Sequence, residues 1–223
     1  MASGEIPPAL ARDLPTYDFV CGSDECGYGS WAGPLIVCAA VAPRGWSDPR
    51  VQDSKKLTGA VRERLYESLT VLSHCIIRVD PDEIDRRGVG EVLLEAHSRA
   101  IQGALGAHRA KGHTQTPLVI IDGSRGVQGA VALPKADALI PAVSAASVIG
   151  KVFHDRIMAE LDRLHPGYGL TKNSGYGTPK HREALDRLGV SPVHRLSYSP
   201  MSDMKPRDAA PQDLFALFEA IDS

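Results

Sequence analysis

The sequence predicts an α/β layered fold with a central sheet, and three observations predict it. Short runs rich in Val, Ile and Ala recur along the chain, longer stretches of helical periodicity alternate with them, and Gly or Pro punctuates the joins. With 223 residues and 43% hydrophobic content, the chain can build a substantial core, which excludes disorder as an overall description.

The elements follow in order. Residues 1–16, with three prolines, read as a flexible leader. Tyr17 to Ser23 reads as a strand running into Asp24-Glu25, and Gly27 and Gly29 then break it. Pro34 to Val41 is a second strand, joined to the first by a tight Gly-rich turn. Thr58 is the expected N-cap of a helix through about Leu72, because Val61, Leu65, Leu69 and Leu72 recur at helical spacing opposite Arg62, Arg64 and Glu67. Cys75 to Val79 is the next strand. A helix from Val89 to about Ala107 places Val92, Leu93, Ala96, Ala100, Ile101 and Leu105 on one stripe. Leu118 to Ile121 forms a buried strand ending at Asp122. A long helix over Ala142–Leu164 sets Ser144, Ser147, Lys151 and Asp155 on a polar stripe. A helix at Pro179–Leu188 follows, and a linker leads to an amphipathic segment at Leu214–Ile221. The sheet is expected to mix antiparallel and parallel pairing. One catalytic-size domain over 17–200 and a terminal appendage over 201–223 complete the expected organisation.

Charge excludes one simple picture. Lys plus Arg number 25 against 27 Asp plus Glu, so there is no global basic footprint, and any polyanion must meet a local basic surface. No run reaches the roughly 18 apolar residues of a membrane span, and no basic start precedes an apolar core as in an export signal. Cys21, Cys26, Cys38 and Cys75 lack paired C-x-x-C spacing, so reduced thiols in a cytoplasmic protein are expected; the chain is also expected to be a monomer.

Asp24 and Asp122 each follow an apolar strand, where side chains of an α/β fold project toward ligands, and Asp137 lies in the loop before the long helix. Acids forced together repel unless a hard cation neutralises them, so Mg2+ or Mn2+ is the natural partner, and the lack of a Cys/His cluster disfavours zinc. Each acid also has a bland reading: a solvated turn residue for Asp24, a surface charge for Glu25, an Asp-Gly turn for Asp122, a helix-start residue for Asp137. Neighbouring strand residues face opposite ways, so Asp24 and Glu25 can share a site only where the chain bends, and Gly27 and Gly29 are the candidate bend.

Taken together, S-D-E-C-G-Y-G-S-W-A-G-P (23 to 34), D-S-K-K-L-T (53 to 58), I-I-D-G (120 to 123), K-A-D-A-L-I-P-A-V-S-A-A-S-V-I-G-K-V-F-H-D-R (135 to 156), H-P-G-Y-G-L-T-K-N-S-G-Y-G-T-P-K-H (165 to 181) and S-P-V-H-R-L-S-Y (191 to 198) resemble ribonuclease HII. The resemblance implies a ribonuclease H-like fold, with a central mixed sheet flanked by helices and a C-terminal helical appendage. It implies a divalent-metal endonuclease that cuts RNA paired with, or embedded in, DNA and leaves 3′-hydroxyl and 5′-phosphate ends. The acids it marks as catalytic and metal-binding are Asp24, Glu25, Asp122 and Asp137. It also implies a glycine segment, here Gly27-Tyr28-Gly29, that senses the ribose 2′-hydroxyl, and a tyrosine, here Tyr176, that stacks against a sugar. The chain departs from the pattern at Tyr28 for Arg, Gly150 for Ala, His154 for Arg, and Asn173-Ser174 for His-Lys. Lost cations weaken binding and its salt dependence without removing the acids.

Lys55 and Lys56 read as a phosphate clamp against the alternative of a solvated pair, and Ser144, Ser147 and Lys151 as backbone contacts against helix packing. His74, His97, His108 and His113 show no ligand spacing and read as surface residues, Tyr168 as structural, and His194-Arg195 as contacting backbone or supporting the fold. Expected partners are RNA–DNA hybrid and ribonucleotide-containing duplex DNA, with no membrane. A hybrid-binding protein that no longer cuts, or another nuclease of the same superfold, are the competing readings.

Overall fold

In the computed structural model of the chain, residues 5–52 and 58–204 are described. The elements are α1 (Pro8–Asp13), β1 (Phe19–Cys26), β2 (Leu35–Pro43), α2 (Pro49–Gln52), α3 (Gly59–Leu69), β3 (Ser73–Val79), α4 (Pro81–Arg87), α5 (Val89–Ala110), β4 (Leu118–Asp122), β5 (Val131–Leu133), α6 (Pro141–Leu164), α7 (Leu170–Asn173) and α8 (Pro179–Leu188). Five strands form one sheet in the order β3-β2-β1-β4-β5. β1 runs antiparallel to β2 and parallel to β4, and β5 is parallel to β4, so the sheet is mixed as expected. Lys55 and Lys56, and the segment at Leu214–Ile221, lie outside the described residues.

The chain divides into two compact units. The first takes the residues up to Cys26 with Ile36–Val79 and Gly90–Phe153; the second takes Gly27–Leu35, Asp80–Val89 and the chain from His154 onward.

The first unit is the sheet with its helices. β2 is buried on both faces from Leu35 to Ala42, which is why its sequence is a continuous apolar run rather than an alternation. One core gathers Cys38 and Ala40 of β2, Leu65 and Leu69 of α3, and Ala145, Ala146, Val148, Ile149 and Val152 of α6. A second joins Leu10 of α1, Val20 of β1, Ala42, Ile120, Leu133, Ala142 and Val143. Small residues let α6 lie close on the sheet. A Cβ on Gly150 would sit 3.3 Å from that of Cys38, so the glycine at this position leaves room for the cysteine beneath it.

Several boundaries differ from expectation, and the stretch expected as a flexible leader carries α1, whose Leu10 is buried. β1 extends through Cys26 because each of its residues from Phe19 onward has a partner on β2, the last pair being Cys26 and Ile36. Asp24 and Glu25 therefore lie inside the strand, and the positive-φ bend falls at Gly27 (φ +83°). The connection to β2 is the longer segment 27–34 rather than a tight turn. Thr58 does occupy the N-cap position of α3, but that helix stops at Leu69.

Polar contacts tie the second unit together. Asp85 of α4 accepts from the backbone N–H of Leu196 (2.8 Å) and of Ser197 (2.9 Å). Tyr168 is structural, its hydroxyl donating to the Gly189 carbonyl at 2.8 Å. Two buried imidazoles, His181 and His194, meet Nε2 to Nε2 at 3.1 Å. The Ser191 N–H donates to His194 Nδ1 (3.0 Å), so the His194 proton is on Nε2, and His181 accepts it there and carries its own on Nδ1, toward the Tyr176 carbonyl at 3.0 Å. Both rings are neutral in this chain of bonds. Burial, then the neighbouring His181, pushes His194 down from 6.5 to about 3. The unfolded chain takes up this proton below pH 6.5 while the folded chain refuses it, so the associated stability is intact above pH 6.5 and drains away as pH falls toward 3, by up to about 5 kcal/mol. A carbon-detected NMR titration should show the His194 ring still neutral at pH 5; a midpoint near 6 contradicts the buried, neutral pair.

Candidate active site

Alternation along β1 sorts its polar residues onto two faces. Ser23 and Glu25 face α5, where the Ser23 hydroxyl lies 2.8 Å from His97 Nδ1 and donates to the Cys38 carbonyl at 3.1 Å, and Glu25 Oε2 lies 3.5 Å from His97 Nε2. Asp24 faces the other way, toward α6, and accepts a hydrogen bond from the Ser147 hydroxyl. The Glu25 N–H adds a bond to Asp24 Oδ1 at 2.9 Å.

Asp122 ends β4, one residue past the register pair Ser23–Ile121. Its Oδ1 accepts from the Ala136 N–H at 2.6 Å. That bond anchors the turn Ala136–Ala138, which Lys135 enters with φ +63°, and Asp137 rides on the same turn. The Asp137 carbonyl accepts from the Ser144 hydroxyl (2.5 Å), which also lies 3.2 Å from the Ile140 carbonyl, so Ser144 ties the turn to the start of α6. All four acids belong to the first unit.

Electrostatics couples Asp24 to Asp122 and Glu25. Asp24 is 8% exposed, and its pKa is pushed up from 3.8 to about 7, first by burial and then by the negative charges of Asp122 and Glu25, against the Ser147 bond that lowers it. A carboxylate held this way is under-neutralised by its own protein. Among the described residues, no three His, Cys, Asp or Glu side chains already converge into a metal cage. The donor set is nevertheless all carboxylate oxygen, the charge at Asp24 favours a cation, and hard divalent ions such as Mg2+ fit that chemistry.

The sequence-predicted contacts divide between the units. Ser147 and Lys151 lie on α6 within the first, and Gly27, Tyr28, Gly29 and Tyr176 lie in the second. A Cβ on Gly27 would meet the Pro34 carbonyl oxygen at 2.8 Å and His154 Nε2 at 2.9 Å, so the bend requires glycine on steric as well as dihedral grounds. His97 and His108 are buried rather than on the surface. Their signal was present: position 97 falls on the inward row of α5 with Leu93, Ala100, Ile101 and Ala104, and that row continues to 108. Arg195, fully buried, supports the fold, the second of the two readings open for it in the sequence, and no local spacing points to its partners at Tyr28 and Gly33.

Comparison with known proteins identifies the family and the fold. The sequence profile described as Ribonuclease HII matches residues 21–201. A ribonuclease HII of Thermus thermophilus is 43% identical over 185 residues, spanning 82% of this chain and 87% of the relative. Among solved structures, ribonuclease H2 of Pyrococcus horikoshii superposes with a TM-score of 0.64 at 26% identity, covering 83% of this chain and 96% of the other. The ribonuclease HII of Archaeoglobus fulgidus, solved in a complex with PCNA, gives 0.66 at 26% identity, covering 86% and 98%. The chain therefore belongs to the ribonuclease HII family, has the ribonuclease H-like fold, and is a ribonuclease H endonuclease.

Proposed function

We propose that the chain hydrolyses the RNA strand of RNA–DNA hybrids and nicks duplex DNA at embedded ribonucleotides in the cytoplasm, leaving 3′-hydroxyl and 5′-phosphate ends. The observation that carries this reading is Asp24: a carboxylate whose pKa is raised first by burial and then by two neighbouring acids, in a chain of this family. Asp24, Glu25, Asp122 and Asp137 would hold two divalent cations, Mg2+ or Mn2+. Such a pair supplies an activated water and stabilises the leaving oxygen of an in-line displacement. The protein's own part is placement. The Ala136 N–H orients Asp122, the Ser144 bond fixes the turn carrying Asp137, and His97 orients Glu25. Ser144 acts through that turn, while Ser147 and Lys151, with Lys55 and Lys56, are the proposed phosphate-side contacts. Gly27, Tyr28 and Gly29 would read the 2′-hydroxyl, and Tyr176 would pack on a sugar.

The test compares three duplexes: all-DNA, RNA–DNA hybrid, and DNA bearing one ribonucleotide, each with Mg2+, Mn2+ or chelator. Cleavage of the last two, dependent on metal and lost at least 100-fold in Asp122→Asn, is expected. Cutting of all-DNA duplex at a similar rate contradicts the substrate assignment, and binding of hybrid without cleavage in either metal marks a protein that has lost catalysis.

A further inference from the structure

Tyr28 and Tyr176 leave their rings exposed, at 37% and 43%. The backbone beneath each is tightly held. The Tyr28 carbonyl accepts from Arg195 Nη1 and from the Tyr198 hydroxyl, both at 2.9 Å. Arg195 spends the rest of its guanidinium inside the protein: Nε and Nη2 donate to the Gly33 carbonyl at 3.1 and 3.0 Å, and Nη1 reaches the Tyr198 hydroxyl at 3.2 Å. Burial pulls this guanidinium below its ordinary range, while Tyr198 opposes the shift. Between those two anchored carbonyls the segment is fastened again, the Ser30 hydroxyl donating to the Ser174 carbonyl (3.1 Å) and the Trp31 N–H to the Gly175 carbonyl (2.8 Å). On the other side, the Tyr176 N–H donates to the Asn173 carbonyl at 2.9 Å, and its own carbonyl accepts from His181 at 3.0 Å.

The Tyr176 ring also lies against the segment that carries Tyr28. A Cβ built on Gly29 would touch Tyr176 Cε1 at 3.9 Å, so the Tyr176 ring rests beside the residue that follows Tyr28. Exposed aromatic rings on immobilised backbone lose little freedom on binding, which makes them efficient anchors. Neither ring carries charge, and the buried cation that secures Tyr28 is turned inward toward carbonyls.

We propose that Tyr28 is a further substrate contact: with Tyr176 it forms a two-ring platform that packs on sugar faces in the minor groove of the RNA-containing duplex, and Arg195 and Tyr198 position it. The proposal rests on the ribonuclease reading above. An A-form minor groove is wide and shallow and displays its sugars, so it admits such a platform. A neutral ring displaces no counterions, so its contribution to affinity is independent of salt.

Binding can be read by fluorescence anisotropy, using full-length chain in an Asp122→Asn background and a labelled duplex with one ribonucleotide, from 50 to 200 mM KCl. Tyr28→Ala should weaken binding about tenfold at every salt concentration with an unchanged slope of log affinity against log salt. Tyr28→Phe should restore affinity to within about twofold, because the ring does the packing. Tyr28→Arg should bind with a slope steeper by about 0.9, the signature of one added phosphate contact. Tyr198→Phe, which removes one of the two donors to the Tyr28 carbonyl, should cost about threefold with melting temperature held. Parental affinity in Tyr28→Ala, or a loss of affinity accompanied by a shallower slope, overturns the proposal. If Tyr28→Ala melts early, the Phe and Arg variants decide: equal slopes overturn it. Cleavage by the unmutated chain separates the two levels. A chain that cuts ribonucleotide-containing duplex but is indifferent to Tyr28 sinks only this inference, whereas one that neither binds nor cuts sinks both.

Discussion

Asp24→Asn is expected to abolish cleavage and to make the folded protein more stable. The carboxylate is buried, and burial with the charges of Asp122 and Glu25 raises it from 3.8 to about 7. A pKa raised on folding means that the folded chain holds a proton the unfolded chain has already lost. The linked stability is fully present below pH 3.8, declines as pH rises, and is gone above about 7, a loss of up to about 4 kcal/mol. Asparagine keeps the shape and carries no charge, so the variant escapes the loss. At pH 8 with chelator, its melting temperature should exceed the parent's by roughly 5–10 °C, and the gap should close as pH is lowered toward 4. Adding MgCl2 or MnCl2 should raise the melting temperature of the parent far more than that of the variant, because a bound cation relieves the same repulsion in the parent. A variant that melts below the parent at pH 8 without metal would show that Asp24 is already neutralised by its surroundings. The combination of lost activity with gained stability separates a metal-binding carboxylate from a structural one, whose removal costs both.

Much of this was legible before the structure, for physical reasons that also mark the limit. α8 has the predicted bounds Pro179–Leu188 because its signals are local: the Thr178 hydroxyl accepts from the His181 N–H, Pro179 opens the helix, and Gly189 follows its end. The long helix α6 and the buried strand β4 were legible from periodicity and apolar run alone. α4 and β5, seven and three residues long, are too short for a period to be counted. The reach of β1 past Asp24 depends on pairing with Val37 and Ile36 of β2, a nonlocal bond pattern. The four acids were found as types and positions, but the division of Asp24 and Glu25 onto opposite faces, with Ser147 on one side and His97 on the other, follows only from that pairing. Arg195 was the least legible. Its partners Tyr28 and Gly33 lie more than 160 residues away, and nothing in the neighbourhood of an arginine announces that its charge will point at carbonyls inside the fold.

The second large effect is expected at a residue with no side chain. Gly22 sits in β1 between Ala40 of β2 and Ile120 of β4, so both strand edges hold it in place. A Cβ there would fall 2.2 Å from the Val143 nitrogen and 2.4 Å from the Ala142 carbonyl carbon, both backbone atoms at the start of α6. Backbone cannot rotate away as a side chain can, so Gly22→Ala must lift the first turn of α6 off the sheet by about 1 Å or more, at a cost of roughly 3 kcal/mol. That turn is bonded to the site: Val143 and Ser144 donate to the Ile140 carbonyl, Ser144 also to the Asp137 carbonyl, and Ser147 follows one turn later on Asp24. Displacement of reacting groups by about 1 Å costs on the order of 100-fold in rate, so activity should fall even at temperatures where the variant remains folded. Gly150→Ala is the matched control on the same helix. Its new Cβ meets side chains rather than backbone, Cys38 at 3.3 Å and Ile36 at 3.8 Å, and the gain of about 1 kcal/mol in helix propensity offsets a small repacking cost. Thermal melts should therefore place Gly150→Ala near the parent and Gly22→Ala roughly 6–12 °C below it. If Gly22→Ala melts within about 2 °C of the parent, the close seating of α6 on β1 is wrong, and with it the route by which Ser144 and Ser147 hold two of the four acids.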